Sequence, residues 1–547
     1  MDGPMPLSTL RPIPPATAPA AAAPAELTAA TRYLSVGAYV SATFRDRCLR
    51  EVYYQDRRFT APSYGFDLVT VLEHCLRARN LAMWRDATIV LVFATGAYLN
   101  WIAAASVAVA MVCLRVTEAA WRLIRDFLAR VRTGSAVDTT RSPRRGLVLL
   151  LRWAATWIVF IILAGKALAA ATAGAGSVRN GAALLVAPAA LLIPVVFALC
   201  RQKRIEDFTA YGDPPPIRWN ERKRTISRQQ AGNTVVYSNF EPFIGAGDVV
   251  STWGFAQRLV RKQPSDPAGM FGQPTEGERE FDEPPFNAGQ IVSYVRHHLR
   301  QLTSTALPEM SIPDLTVEDR VFQSAREDGP RTTFTGPQEM AEIIRNPTTP
   351  ARHYLACQVV SWGGDVVTTV YVHIAVQGRS LYLEVTSTTI APCNERYRIV
   401  DADAGTGPRA WLRAALHGAR HTPRTVIRAP SRLVRALVDM SGHGSITRRG
   451  TSRRRKDYGA VVSVREMGSR DRLRNFTQHQ DILKFRRLIE SRVFAHVLDF
   501  LDDHDVDTSE VRDQRANILY NSGILVGGDM KLNRSSVSNQ TSEPPNG

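Results

Sequence analysis

A long apolar run without a charged residue extends from Ala87 to Leu114. As a single helix it would be about 42 Å long, which exceeds the roughly 30 Å hydrocarbon core of a bilayer. Two further apolar stretches follow, Leu147–Gly165 and Gly181–Cys200, and each has the length of one spanning helix. The sequence therefore predicts an integral membrane protein whose transmembrane region covers residues 87–200.

The basic residues around these stretches predict how they cross the bilayer. Arginines precede the first stretch, a basic loop at residues 115–146 follows it, and Arg201 and Arg204 follow the last stretch. The positive-inside rule places all three regions in the cytoplasm. Only a hairpin that turns near Asn100 allows this, so four spans are preferred. A single helix at this position, with three spans in total, stays open.

Composition divides the rest of the chain into segments of distinct character. Residues 1–30 are rich in Pro and Ala, residues 535–547 are polar, and both tails are predicted to be disordered. Residues 31–86 are predicted to form a cytosolic helical region. A charged, Pro-interrupted linker at residues 201–232 leads to a large cytosolic domain, residues 233–534, with an Arg-rich insert at residues 402–456.

The large domain is predicted to belong to the α+β class. Residues 354–390 alternate between β-branched segments and turns, which predicts an antiparallel β-meander. A strand at residues 233–238 is followed by a loop, and the segment from there to about Lys262 is predicted to be helical. An apolar face predicts a long helix at about residues 480–502. The fold class is thus α-helical transmembrane hairpins plus a cytosolic α+β domain with an antiparallel β-meander.

Three segments of the large domain resemble a known group of sequences. They are Val235-Val236-Tyr237-Ser238 with the following Pro242-Phe243-Ile244-Gly245-Ala246-Gly247, then Ser361-Trp362-Gly363-Gly364, and finally Asn521-Ser522-Gly523-Ile524-Leu525-Val526-Gly527-Gly528. They are similar to segments of uncharacterised multi-pass membrane proteins from actinobacteria with a C-terminal cytosolic domain. The resemblance implies this architecture and a bacterial origin, and it implies no activity.

The loop Gly245-Ala246-Gly247 is the first candidate for ligand binding. It follows a predicted strand and precedes a predicted helix, a placement in which backbone N–H groups can hold a phosphate. It lacks the Lys-Ser/Thr of a P-loop and the third Gly of a dinucleotide fingerprint, and Asp248 would repel a phosphate. A structural turn is the preferred interpretation. The alternative is that Gly245 and Gly247 bind a nucleotide or a lipid head group, in an enzyme or a receptor.

No pattern in the sequence predicts catalysis or metal binding. His417 and His421 have the spacing of helical metal ligands, but Gly418 stands where the metalloprotease motif has Glu. The six cysteines form no CxxC pair, which disfavours a zinc site and fits a reducing compartment. We therefore expect no catalytic residue, no metal and no cofactor, and a protein that is not an enzyme.

The Arg-rich insert is the second candidate for binding. The segment Pro408–Lys456 carries thirteen Arg or Lys and a single acid, Asp439. Arg428, Arg432 and Arg435 lie beside an apolar stripe, a pattern that suits an anionic membrane surface. Packing of the apolar stripe on the domain core is an equally open alternative. Nucleic acid is disfavoured as a partner because aromatic residues are not interleaved with the arginines.

These features predict a membrane-anchored cytosolic binding module, a sensor, scaffold or effector of unknown ligand. It would lie in the bacterial inner membrane as a multi-pass protein with most of its mass in the cytoplasm. Its expected partners are the lipid bilayer, anionic lipid head groups and further copies of the chain, and the net charge of +17 fits the anionic lipids. An oligomeric pore or transporter component remains an alternative, disfavoured because few ionisable residues lie near the bilayer centre.

Overall fold

The computed structural model describes residues 28–132 except 57, 153–162, 164–166, 169, 185–208, 216–263 except 239, 275–304, 311–325, 332–401, 405–440, 458–470 and 475–512. The predicted C-terminal tail and nearly all of the N-terminal tail lie outside the described residues. So do residues 133–146 of the predicted basic loop, residues 441–456 of the Arg-rich insert, and the resembling segment at 521–528.

Two short helices and a π-helical turn begin the described chain. Helix α1 (Ala29–Val40) starts at Thr28, whose Oγ1 accepts a hydrogen bond from the Thr31 amide at 3.3 Å. Helix α2 (Ala42–Cys48) starts at Ser41 in the same way and leads into a π-helical turn, Leu49–Tyr53. Such side-chain caps satisfy amides that have no partner within the helix. The apolar residues of these elements form one buried cluster with the start of the next helix.

That next helix, α3 (Leu68–Arg132), contains the longest apolar run and is interrupted at Asn100. Asn100 has non-helical angles, φ −154° and ψ 100°, and its Oδ1 accepts hydrogen bonds from the amides of Ile102 and Ala103 at 3.1 and 3.2 Å. A Cβ built on Gly96 would lie 3.6 Å from the Cβ of Ala104, whereas eight residues of continuous helix extend about 12 Å. The chain therefore reverses at Asn100, and α3 is a helical hairpin.

The apolar helices leave most of their surface exposed. Residues Leu68–Trp121 of α3 and the helix α4 (Val186–Glu206) are, among the described residues, the two segments long and apolar enough to cross a membrane. Only 17% and 28% of their most apolar windows are buried, whereas the core helix of a soluble protein would be mostly buried. A shorter apolar helix, Trp153–Lys166, also lies between them in sequence. These helices suggest association with a membrane.

The segment predicted as a linker contains a helix that packs on α3. Helix α5 (Glu221–Ala231) starts at Asn220, whose Oδ1 accepts a hydrogen bond from the amide of Lys223 at 2.9 Å. The side chain of Lys223 is buried and forms an ion pair with Glu73 of α3. Because a buried charge without its partner is costly, this pair fixes α5 on α3. The helix is hard to predict because its buried side carries a lysine beside a single large apolar residue, Ile226.

A six-stranded mixed sheet forms the core of the C-terminal part. Its strands are β1 (Thr234–Tyr237), β2 (Asp248–Arg258), β3 (Leu315–Ser324), β4 (Ala351–Ser361), β5 (Val366–Gln377) and β6 (Ser380–Ile390), in the spatial order β1-β3-β4-β5-β6-β2. Strands β1 and β3 are parallel, and the other neighbours are antiparallel. The predicted meander, β4 to β6, is confirmed.

Helices pack on this sheet and close its main core. After the short α6 (Glu276–Arg279), these are α7 (Ala288–Ser304), α8 (Pro337–Arg345) and α11 (Phe476–Asp503), which contains the helix predicted at residues 480–502. Leu299 of α7, Val370 of β5 and Phe494 of α11 are fully buried in the same cluster. Two further helices, α9 (Gly407–Met440) and α10 (Val464–Met467), lie between β6 and α11 in the chain.

The segment that follows Gly247 is the strand β2 and not the predicted helix. It pairs with β6 along its length, from Asp248 opposite Thr389 to Arg258 opposite Ser380. Its β-branched and aromatic residues suit an edge strand, and the burial of every second side chain in its middle follows the period of a strand. The prediction was wrong because a short run of mixed apolar and polar residues fits the period of a helix as well as that of a strand. The sequence alone does not show that β6 lies beside it.

The sheet is joined to the N-terminal helices at the turn between β4 and β5. A Cβ built on Gly364 in this turn would lie 2.2 Å from the carbonyl oxygen of Gly65, so the two backbones approach closely. Arg465 of α10 is fully buried and donates hydrogen bonds to the carbonyl oxygens of Asp365 at 2.6 Å and Gly364 at 3.4 Å. The resembling segment Ser361–Gly364 therefore serves as a structural junction.

Candidate functional site

The Gly245–Gly247 loop presents two backbone amides, and a carboxylate of the same chain binds both. Gly245 and Gly247 have φ angles of +91° and +87°, in the left-handed region that favours glycine. Their N–H groups donate hydrogen bonds to the Oε1 of Glu466 at 2.8 and 3.1 Å. The loop thus presents two backbone amides that can bind an anion, and the carboxylate of Glu466 occupies the position that a phosphate oxygen would need.

Close backbone contacts around this loop give the glycines a second role. A Cβ on Gly247 would lie 2.1 Å from the carbonyl oxygen of Thr389 in β6, and a Cβ on Gly245 would lie 2.9 Å from that of Pro62. Ala246 between them is buried. The loop therefore connects β1 to β2 in close contact with the backbone of β6. Because these contacts leave no room for side chains at the glycines, they favour the structural turn over a ligand site.

The second predicted site, the Arg-rich insert, lies partly in helix α9, which packs against both apolar helices, α3 and α4. At its start, the Nε1 of Trp411 donates to the Oε1 of Glu206, the last residue of α4, at 2.7 Å. Val426 then packs in a cluster with residues of both α3 and α4. Further on, Arg432 forms an ion pair with Asp86, which precedes the apolar run of α3. The helix thus crosses from the end of α4 to the hairpin of α3.

The face of α9 that packs on these helices is made of small residues. Gly418 meets α4 so closely that a Cβ would lie 2.9 Å from the Cα of Val195 and 3.0 Å from the carbonyl oxygen of Pro194. Ala414 and Ala429 on the same face are buried. Small residues allow helix backbones to approach closely, so this face fixes α9 on α4 and α3 rather than on the sheet.

The outer side of α9 carries apolar and basic residues side by side. Five large apolar side chains with helical spacing are exposed by 41–61%: Leu412, Leu416, Ile427, Val434 and Leu437. Arg428 and Arg435 are also exposed; they directly follow Ile427 and Val434 and therefore flank the apolar stripe. An exposed apolar stripe flanked by arginines is typical of a helix that lies in a membrane interface. Packing of α9 on a protein core would explain its buried face of small residues, but it would not explain this exposed apolar stripe.

Arg432, the third residue predicted at the membrane surface, is half-buried and has a structural partner. Its Nε lies 3.2 Å from the Oδ2 of Asp86, and its NH2 donates to the carbonyl oxygen of Thr425 at 2.8 Å. Burial lowers the pKa of Arg432 to about 10; Asp86 opposes this shift and Arg85 adds to it. The guanidinium stays charged at neutral pH and fixes α9 on α3.

A cavity of about 250 Å³ lies between α1, α2, α3, α4 and α9. Three aspartates line it: Asp46, Asp86 and Asp439. Seven arginines line it as well: Arg45, Arg50, Arg79, Arg85, Arg201, Arg432 and Arg435. Among these arginines and aspartates, seven cations against three carboxylates leave a surplus of four positive charges. Arg50 comes from the π-helical turn, a rare element that is frequent at functional sites.

Four of these arginines lie within ion-pair distance of an aspartate of the cavity. The pairs are Arg45–Asp46 at 2.9 Å, Arg85–Asp86 at 2.8 Å, Arg432–Asp86 at 3.2 Å and Arg50–Asp439 at 3.9 Å. Asp86 serves two arginines at once. The carboxylates of the cavity are therefore already engaged in ion pairs, although Asp46 and Asp439 also act on Arg79 from a longer distance.

Arg79 and Arg201 have no carboxylate within ion-pair distance in the described part of the chain. Among the described residues, the Nε and one terminal nitrogen of Arg79 and the Nε of Arg201 are buried and find no hydrogen-bond partner. Arg79 otherwise contacts Asn80, at 3.3 Å, and the ring of Tyr54, whose centroid lies 5.5 Å away. Arginines elsewhere in the described chain, such as Arg279 and Arg296, also have a buried Nε without a partner. What distinguishes the cavity is therefore its surplus of arginines over carboxylates.

In the sequence, Arg79, Arg85 and Arg201 indicate only the topology of the apolar helices, and no motif assigns them to a site. Asp86, an acid next to the apolar run, is the one local sign of a polar site at this position. Its partner Arg432 follows 346 residues later, and only the packing of α9 on α3 brings the two together. The predicted Arg428 lies outside this cavity, whereas Arg432 and Arg435 line it.

A family model described as an AbeC-like domain matches residues 252–531, just over half of the 547 residues. The matched residues begin in β2 and include the rest of the sheet except β1, together with α9 and α11. Helices α1 to α5 precede the match, so the cavity lies where the matched residues meet the apolar helices. No curated protein and no solved structure matches the chain.

Proposed function

The chain belongs to the AbeC-like domain family, and we propose that its AbeC-like domain is a cytosolic binding module anchored in a membrane by the preceding helices. In this proposal the chain is a sensor, scaffold or effector and not an enzyme. The observation that carries the proposal is the exposed apolar hairpin of α3, which has aromatic side chains at both ends.

These aromatic residues form two groups along the hairpin. Trp84 and Trp121 are 70% and 66% exposed at its open end, and Tyr98 and Trp101 are 80% and 66% exposed beside the turn at Asn100. The two groups are separated by about 21 Å along the first arm and about 30 Å along the second, at 1.5 Å per residue. Trp and Tyr concentrate at the two interfaces of a bilayer, whose hydrocarbon core is about 30 Å thick.

Charge supports a cytoplasmic position for the open end of the hairpin. Arg85 and Asp86 lie at this end, Arg201 and Arg204 lie near the end of α4, and the basic helix α9 crosses between them. The positive-inside rule then favours four spans, with α4 and the apolar helix Trp153–Lys166 as the second hairpin. The resemblance to actinobacterial multi-pass proteins supports the bacterial inner membrane as the location.

The alternatives receive less support. A nucleotide or lipid head group at the Gly245–Gly247 loop would have to displace Glu466 from both amides. An oligomeric pore would need polar side chains along the apolar helices. In the described parts of α3 and α4, the interior of the apolar stretches offers few polar side chains. They include Thr95, Asn100, whose Oδ1 caps a helix, and Ser106, which donates to a backbone carbonyl.

Reporter fusions test the proposed topology. Fusions at Arg45, Ser135 and Met310 should report the cytoplasm, and a fusion near Gly176 should report the exterior. The full chain should also stay in the membrane pellet after alkaline extraction, because an inserted hairpin is not released with peripheral proteins. An exterior signal at Arg45 would contradict four spans and favour three, and release of the chain by alkali would contradict membrane anchorage altogether.

A further inference from the structure

We propose that the basic cavity between α9 and the apolar helices binds the phosphate group of an anionic phospholipid. This inference rests on the proposed membrane anchorage, and it names the class of ligand that the site would take. It concerns residues of α2, α3, α4 and α9, away from the Gly245–Gly247 loop that the sequence suggested.

Charge is the first argument for a phosphate. The cavity holds four more arginines than aspartates, and its three carboxylates are engaged by other arginines. Arg79 and Arg201 keep buried N–H groups without a partner in the described chain. A guanidinium presents a planar set of donors that fits phosphate oxygens, and it is the preferred side chain for such anions. An anion with several oxygens could accept hydrogen bonds from Arg79, Arg201 and Arg435 together.

Position and size favour a lipid over a soluble phosphate. Apolar side chains also line the cavity, including Met83 of α3, Phe197 of α4 and Leu433 of α9. Its volume of about 250 Å³ is below the 300–1,000 Å³ that is typical of sites for drug-sized ligands. It therefore suits a head group, with the acyl chains left along the exposed apolar helices. A soluble phosphate has no apolar group that could contact the apolar wall of the cavity.

The outer stripe of α9 gives independent support for the depth of the site. Leu412, Leu416 and Val434 are exposed on the helix that forms one wall of the cavity. If these side chains enter the interface, the cavity lies at the level of the head groups. The arginines of the cavity then face the layer in which lipid phosphates are found.

The test uses the full chain in a non-ionic detergent, so that binding does not depend on insertion into a bilayer. Dioctanoyl phosphatidic acid, dioctanoyl phosphatidylcholine and inorganic phosphate are titrated separately, and the melting temperature is measured. The variant Arg79→Gln/Arg201→Gln removes the two unpaired cations. The control Arg224→Gln/Arg228→Gln removes the same charge from the exposed side of α5.

Phosphatidic acid should raise the melting temperature of the wild type and of the control, because a ligand that binds only the folded state stabilises it. The cavity variant should bind it about tenfold more weakly or worse, since it loses charged hydrogen bonds. Without lipid, this variant should melt at or above the wild-type temperature, because unpaired buried charges are removed. If it fails to fold, Arg435→Gln, at an exposed position in the cavity wall, replaces it.

Three results would overturn the inference. Equal stabilisation of the cavity variant and the control would place the lipid elsewhere, and no stabilisation of the wild type would remove the site. An equal shift with inorganic phosphate at the same concentration would assign the cavity to a soluble anion. None of these results affects the topology experiment, so the lipid site and the membrane anchor can fail separately.

Discussion

Gly247→Ala is the sharpest test of the loop between β1 and β2. Gly247 has a φ of +87°, and a Cβ at this position would lie 2.1 Å from the carbonyl oxygen of Thr389 and 2.8 Å from the Cα of Ile390. The left-handed backbone costs alanine about 1 kcal/mol or more. The clash is with backbone, so β6 must shift, and such overpacking costs about 1–3 kcal/mol. We expect a loss of about 2–4 kcal/mol in the free energy of unfolding.

The control is Gly378→Ala, in the turn between β5 and β6. Gly378 also has a positive φ, +58°, but nothing lies within 4 Å of a Cβ built on it. This substitution should lose about 1 kcal/mol from the backbone alone. Urea denaturation of the full chain in detergent, followed by tryptophan fluorescence, gives both values under the same conditions. The difference between the two variants measures the contact with β6.

The same experiment separates the structural turn from a ligand loop. Since Glu466 already binds the amides of Gly245 and Gly247, ATP or GTP should leave the stability of the wild type unchanged. Equal losses for Gly247→Ala and Gly378→Ala would refute the argument from the β6 contact. A stabilisation by nucleotide that Gly247→Ala removes, with unchanged stability of the free protein, would refute the structural turn and restore the nucleotide receptor.

Two further predictions concern exposed and buried charges. In nanodiscs, exchange of phosphatidylcholine for phosphatidylglycerol should stabilise the wild type. Because a basic residue near the surface contributes about 1 kcal/mol, Arg428→Glu should reduce this gain in stability by about 1–2 kcal/mol, whereas Arg224→Glu on α5 should not. Equal effects of the two substitutions would contradict contact of α9 with lipid. For Asp319, burial raises the pKa, but the hydrogen bond from His353 at 2.8 Å and the charge of Arg296 outweigh it, so the pKa is lowered. Its contribution is therefore present above the unfolded-state pKa of about 3.9 and is lost as the pH falls through the lower folded-state pKa. Denaturation midpoints measured from pH 5 down to pH 2 should fall more steeply for the wild type than for Asp319→Asn, and parallel curves would contradict the pair.

The elements that the sequence predicts correctly are those whose signals are local. Residues 354–390 alternate β-branched segments with glycine turns, and the meander follows from these neighbours alone. Asn100 is the one strongly polar residue within a run too long for a single span, and its side chain can cap a helix. The position of the hairpin turn could therefore be predicted, because length and capping point to the same residue.

The contacts of the candidate sites depend on residues far apart in the chain. Glu466 lies 221 residues after Gly245, and the sequence around α10 contains no sign that its carboxylate binds a glycine loop. The pair Arg432–Asp86 joins two segments that lie 346 residues apart, and neither segment contains a local sign of the other. The nature of β2 likewise depends on its pairing with β6. In all three cases a local pattern fits more than one structure, and tertiary packing decides between them.

Helix α9 joins the family domain to the apolar helices, which gives the proposed lipid site a mechanical consequence. It lies within the matched residues, whereas α3 and α4 precede them. Arg79 comes from α3, Arg201 from α4 and Arg435 from α9, so an anion bound by all three draws the three helices together. Lipid binding in the cavity would therefore strengthen the same contacts that hold the domain on its membrane anchor.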